Sequence, residues 1–237
     1  MVTQLKGSLY YLFSSLRFSL LVFWSILGGV LAISFITDLL MTNSRVSFNL
    51  SFPTYIFAAI FGFWMIKNVI PYLIKMGATR KAIFLSIGIF GIVLSVLNAV
   101  LSNTASKIIA ALYSSNSLNH SITLTVDGNE QFFNHIGDFL GDNSWLTRVI
   151  IDSSISFFFF GCLFVGGLIF YKYGVVGGMI FFALGFIAMI YAGHAGLLET
   201  FVKAIFTNFS LVFFYQLFAV GIVVYLLSFL LMRRLTI

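Results

Sequence analysis

Read as a string of apolar and polar positions, the chain is a series of long apolar runs separated by short polar gaps. Crossing a hydrocarbon core of roughly 30 Å takes about 20 apolar residues in a helix. Six runs reach that length, at about 18–41, 55–74, 83–101, 149–171, 175–192 and 209–232, and "IIAALY" at 108–113 can extend the third. Stretches such as "FFFFGCLFVGGLIF" and "LVFFYQLFAVGIVVYLLSFLL" are apolar on every side and do not alternate, which selects helices over barrel strands. The predicted fold class is an all-α integral membrane protein with six transmembrane helices, and residues 1–237 form a single transmembrane domain.

The polar gaps differ in kind. At the amino end, "MVTQLKGSLYYLFSSLRF" spaces Leu5, Leu9, Leu12, Phe13 and Leu16 by threes and fours, opposite Gln4, Lys6, Ser14 and Arg17. That pattern predicts an interfacial amphipathic helix on the cytoplasmic leaflet, and with no small-residue cleavage site it is not a cleaved signal peptide. Residues 113–148 form the one sizeable polar segment, an expected outer loop. Its Asp127-Gly128 pair after "SITLTV" predicts a hairpin or ordered turn, and "FFNHIGDFL" a short amphipathic helix. "GHAGLLETFVKAIFTN" gathers Leu197, Leu198, Phe201, Ile205 and Phe206 on one face, which predicts a segment lying in the outer interface or dipping into it. Only "YKYG" separates the fourth and fifth runs, so these form a tight helical hairpin.

Composition agrees with the pattern. A chain 60% apolar and 8% charged, with mean hydropathy +1.07, has too little polar surface for a water-soluble globule. Charge then orients it. With the amino end in the cytoplasm and six spans alternating, the inner side carries Lys6, Arg17, Lys67, Lys75, Arg80, Lys81, Lys172, Arg233 and Arg234, while the outer side carries Arg45, Lys107, Arg148 and Lys203. Nine cations against four predict a multi-pass plasma-membrane protein with both termini cytoplasmic. All seven acids fall on the outer side or outer end. The net charge of +6 is therefore a topology signal with anionic membrane lipids as its partner, and nucleic acid is not an expected partner.

Candidate chemistry is sparse. His120, His135 and His194 are scattered and external, Asp138 and Asp142 lie in a glycine-bearing loop, and Cys162 is single, so neither a metal site nor a catalytic residue is expected. "GCLFVGG" and "YKYGVVGG" lack the Gly-Lys-Ser/Thr ending of a phosphate loop, so this chain is not expected to hydrolyse ATP itself. Lys67 and Asn68 are the strongly polar pair deep within a span. They are either a snorkelling lysine and its neighbour or candidate pathway residues.

The gap between the second and third runs reads "KMGATRKAIF". Thr79 can cap a short helix, Gly77 permits a turn, and Arg80 and Lys81 project into the cytosol. In this segment the chain resembles the membrane subunits of ABC-2 type ABC exporters, whose coupling helix carries a Gly-x-Ser/Thr-Arg/Lys sequence between the second and third spans. The likeness falls on Gly77, Thr79, Arg80 and Lys81, with Ala78 between them. It extends to six spans, an amphipathic amino end, the "YKYG" turn, an outer segment before the last span and the basic "MRR" end. The outer loop is longer, and the segment before the last span shorter, than that family usually shows. The resemblance implies a permease subunit, not itself an enzyme, with a short cytoplasmic coupling helix that docks on a separate ABC ATPase. It also implies a second permease subunit, identical or a sister chain, and a substrate path at their interface. No cofactor belongs to this chain, since the ATPase binds ATP and Mg. The substrate would be an amphipathic or hydrophobic peptide, lipid or drug moved outward by alternating access. A membrane sensor or immunity protein that binds a ligand through the outer loop, and a secondary transporter, are the alternative readings.

Overall fold

The computed structural model describes residues 2–40, 50–115, 144–196 and 211–233. These form five helices: α1 Val2–Leu40, α2 Ser51–Lys75, α3 Arg80–Ser115, α4 Trp145–His194 and α5 Leu211–Arg233. All five are long and apolar enough to cross a membrane, which makes this a multi-pass membrane protein, all-helical over its described residues. Helices suit that setting because each satisfies its own backbone groups where no water can.

Helix α4 has 50 residues and would span ~75 Å if straight, more than twice the hydrocarbon thickness. It is not straight. Gly174 stands inside it at φ 71° and ψ −173°, a backbone conformation that residues with a β-carbon rarely adopt. Beyond Gly174 the chain returns along itself: the rings of Phe170 and Phe182 lie 5.7 Å apart, and a β-carbon on Gly166 would be 3.3 Å from the Phe182 ring. Sixteen residues of straight helix would separate Gly166 from Phe182 by ~24 Å. The "YKYG" hairpin is thus observed, with Gly174 as its elbow.

The first arm, 145–173, is the centre of the bundle. Phe157, Phe160, Phe164 and Leu168 are buried among α2, α3 and α5. Phe160 fits because its neighbours give way: a β-carbon at Gly62 would sit 2.6 Å from the Phe160 carbonyl oxygen, and Gly91 of α3 lies against its ring. Among the described residues, the second arm, 175–194, has no such company beyond the first arm itself. Val176 is 70% exposed, Phe186 66% and Tyr191 70%. The first arm is the more polar in sequence, with Arg148, Asp152, Ser153, Ser154 and Ser156, whereas 175–194 carries no charged residue and no hydroxyl of Ser or Thr. The arm that bears the polar side chains is the one buried.

Helix α1 corrects one expectation. It is continuous over 39 residues, with no separate interfacial helix at its amino end. The predicted apolar face packs on the bundle: Leu12 and Leu16 are buried, Leu9 lies against the same core, and Tyr11 stacks on Tyr72 with centroids 4.3 Å apart. Nothing between Phe13 and Leu20 breaks a helix, and α2 and α3 offer that face a protein surface.

A second correction concerns the link between α2 and α3. Residues 76–79 are a turn and α3 starts at Arg80, so no separate coupling helix stands there. The turn is closed by backbone bonds. The Gly77 N–H donates to the Ile74 carbonyl (2.9 Å) and the Ala78 N–H to that of Leu73 (3.0 Å), with Gly77 at φ 80°. That is a Schellman stop, which leaves no residues for another helix. Residues 116–143 of the outer loop and 197–210 before α5 lie outside the described residues. The readings placed on Asp127-Gly128, "FFNHIGDFL", Leu197 to Phe206, His120, His135, Asp138 and Asp142 lie outside them with those segments.

Candidate functional site

Polar groups concentrate at opposite ends of the bundle. One end holds Asp152, near the start of α4 and fully buried. Its Oδ2 accepts from Ser51 Oγ (3.0 Å) and from Asn103 Nδ2 (2.6 Å), and its Oδ1 accepts from the Tyr55 hydroxyl. The donors come from the first turns of α2 and from α3, so one carboxylate ties three helices together. Phe214 of α5 packs with Tyr55, Ile151 and Ile155 as an apolar cover. An acceptor-only carboxylate is satisfied by such a ring of donors, and removing any member leaves a buried polar atom without its bond.

A polar stripe continues down α3 from this cluster. Ser95, Asn98 and Ser102 recur at helical spacing and are buried. Asn98 Oδ1 accepts from Trp24 Nε1 of α1 at 3.4 Å. The pairings of Asn103 with Asp152 and of Gly91 with Phe160 set an antiparallel register that brings Asn98 level with Ser156. Asn98 Nδ2 and Ser156 Oγ are both buried, and neither has a hydrogen-bond partner among the described residues.

Sequence reasoning passed over this cluster. By sequence Asp152 stands only among the acids at the outer end. The available signal was a lone acid inside the apolar run "VIIDSSISFFFF", because an ionisable residue within a span marks a site by default. That Ser51, Tyr55 and Asn103 converge on it is not visible in one dimension.

The other end holds the predicted coupling residues. Gly77 and Ala78 form the turn. Thr79 Oγ1 accepts from the Ala82 N–H (3.4 Å), capping α3, and donates to Gln4 Oε1 of α1 (3.4 Å). Arg80 does not simply project outward: its Nη1 donates to the Arg233 carbonyl at 2.8 Å, closing the last turn of α5. A cation on a helix C-terminal carbonyl also suits the negative end of the helix dipole. Lys75 and Lys81 are exposed. The structure therefore gathers the α2–α3 turn, the amino end of α1 and the carboxyl end of α5 into one basic surface. Beside it, Lys172, Tyr173, Leu230, Leu231 and Arg233 line a cavity of about 590 Å³ at the α4 elbow.

Lys67 and Asn68 are not brought into either cluster. Both are exposed on α2, and Asn68 Nδ2 reaches only the Trp64 carbonyl of its own helix, at 3.4 Å. Pro71 lacks the N–H that would otherwise bond the Lys67 carbonyl, so the backbone is locally open there. No family model matches the chain, and neither a curated protein nor a solved structure matches it.

Proposed function

We propose that this chain is the permease subunit of an ATP-driven exporter of the ABC-2 type. In this reading the two arms of α4 count as separate spans, making six, and the basic end faces the cytoplasm with both termini. A separate ATPase subunit binds ATP and Mg and supplies the power stroke. Two permease subunits enclose the path for an amphipathic or hydrophobic substrate, and the exposed Lys67 and Asn68 of α2 face that path.

The observation that supports this reading best is the construction of the α2–α3 turn. Thr79 and Arg80 bond it to α1, α3 and α5, and Gly77 closes it on the end of α2, while Lys75 and Lys81 stay exposed. A push on this turn reaches the ends of four helices at once, α2 included, which is what transmission from a docked motor requires. The coupling element is then the turn together with the first turn of α3.

Lys81→Glu tests the proposal, since it reverses an exposed charge without touching the bonds that hold the turn. Like charge set against a complementary partner commonly costs several kcal/mol, and about 2.7 kcal/mol is a hundredfold in affinity. The expected result is an inserted, folded protein whose co-purification with its ATPase, and whose substrate-stimulated ATP hydrolysis in vesicles, fall together. Unchanged association and turnover would reject the docking role.

Asp152 favours one second reading. A carboxylate buried among hydroxyl and amide groups within the spans is the kind of group an ion-coupled secondary transporter uses. Uptake or efflux driven by an ion gradient in vesicles that lack any ATPase would select that reading over the exporter.

A further inference from the structure

The cavity at the α4 elbow has a composition that neither the docking turn nor the Asp152 cluster explains. Two cations, Lys172 and Arg233, share its wall with Tyr173, Leu230 and Leu231. Among residues whose side chains are described, the one carboxylate is Asp152, twenty residues and ~30 Å back along α4. Lys172 has turned to a ring for compensation, its Nζ 4.8 Å from the Tyr173 centroid. Arg80 adds a third cation beside Arg233 through its bond to the Arg233 carbonyl. Immediately past Gly174 the second arm offers bare apolar surface, with Val175 66%, Val176 70% and Met179 64% exposed. A concave basic site that opens onto an apolar helix suits a ligand with an anionic head and a hydrocarbon tail.

We propose that this cavity is a binding site for the headgroup of an anionic phospholipid. The phosphodiester sits between Lys172 and Arg233, and an acyl chain runs along the exposed face of the second arm. Basic pockets between transmembrane helices at a membrane surface are suited to such headgroups, and the volume is that of a small-molecule site. Occupancy joins the α4 elbow to the end of α5 and neutralises a surface that otherwise repels itself. The inference requires only that the chain spans a membrane, and its test needs no ATPase.

The test uses the full-length protein in a neutral detergent, titrated with phosphatidylglycerol or with phosphatidylcholine of the same chains. Retained lipid is read by native mass spectrometry and melting temperature by tryptophan fluorescence. The wild type should retain phosphatidylglycerol on the order of tenfold better and melt higher with it. Lys172→Gln with Arg233→Gln should bring the two lipids to near equality. Lys172→Arg with Arg233→Lys should keep the preference, separating lost charge from lost fold. Lys75→Gln with Lys81→Gln, an equal charge loss at the same end, should also keep it. Equal loss in that control pair would show diffuse attraction and overturn the site, as would a wild type without preference. Stabilisation by inorganic phosphate alone, equal to that by the lipid, would overturn the lipid assignment.

Discussion

The Asp152 end and the Gly77 end of the bundle handle charge in opposite ways. At the first, a single carboxylate is fully buried and surrounded by three donors from two other helices. At the second, Lys75, Arg80, Lys81 and Arg233 are exposed, and the turn is held by backbone bonds and a threonine cap. Buried charge must be matched inside the protein or the bundle does not close, whereas exposed charge remains available to an outside partner. The first end therefore sets how α2, α3 and α4 assemble. The second can change its contacts without unfolding the chain.

Removing the buried charge is the severest challenge to that contrast. Asp152→Leu removes the shared acceptor of the Tyr55 hydroxyl, Ser51 Oγ and Asn103 Nδ2, and breaking a buried charged network typically costs about 3–5 kcal/mol. Size-exclusion profiles in detergent should show loss of the monodisperse folded peak. A variant as stable as wild type would mean that the cluster does not hold the helices.

A smaller loss is expected when one donor is removed. Tyr55→Phe keeps the ring packing and deletes one hydrogen bond to a charged group, worth about 1.5–3 kcal/mol. The protein should fold but melt earlier, by thermal denaturation in the same detergent. If Tyr55→Phe and Asp152→Leu weaken the protein equally, the hydroxyl carries the whole network and the shared-acceptor picture is wrong.

Gly77→Val sharpens the comparison from the other side. A β-branched residue at φ 80° is strained by roughly 1–2 kcal/mol, and the strain is confined to one exposed turn. Stability should drop modestly, and on the proposed exporter reading ATPase coupling should drop severely. Parallel loss of both would make the turn a structural element only.

The smallest stability effect belongs to Arg80→Gln. It loses one exposed bond to the Arg233 carbonyl, a change below about 1 kcal/mol. Melting should stay nearly unchanged, while hydrogen exchange at the last turn of α5 should quicken. Unaltered exchange there would show that Arg80 does not hold α5.

How much of this was legible depended on the range of the interaction. The Gly77 turn was readable because a glycine followed by a threonine cap acts over three or four residues, and both roles appear in the structure. The short helix expected there failed for an equally local reason: the Schellman stop runs straight into the cap of α3. The bond of Arg80 to the end of α5 was not legible because its acceptor lies 153 residues away. The amino-terminal amphipathic face was legible as a face, but not that Leu12 and Leu16 would be buried against other helices while Phe13 stays partly exposed. A stripe of leucines does not say whether lipid or protein will cover it.

Composition and run length determined that this is a helical membrane protein, because crossing a hydrocarbon core demands long apolar helices whatever their order. Glycine at position 174 made a hairpin available, since few other residues tolerate its backbone angles. Only the tertiary structure showed that the arm of α4 bearing Asp152 and the serines became the core and the more apolar arm stayed bare, because close packing and polar pairing depend on neighbours distant in sequence. Only it brought Ser51, Tyr55, Asn103 and Asp152 together. Hydrogen bonds between distant segments depend on the register of packed helices, and no local pattern in the chain specifies that register.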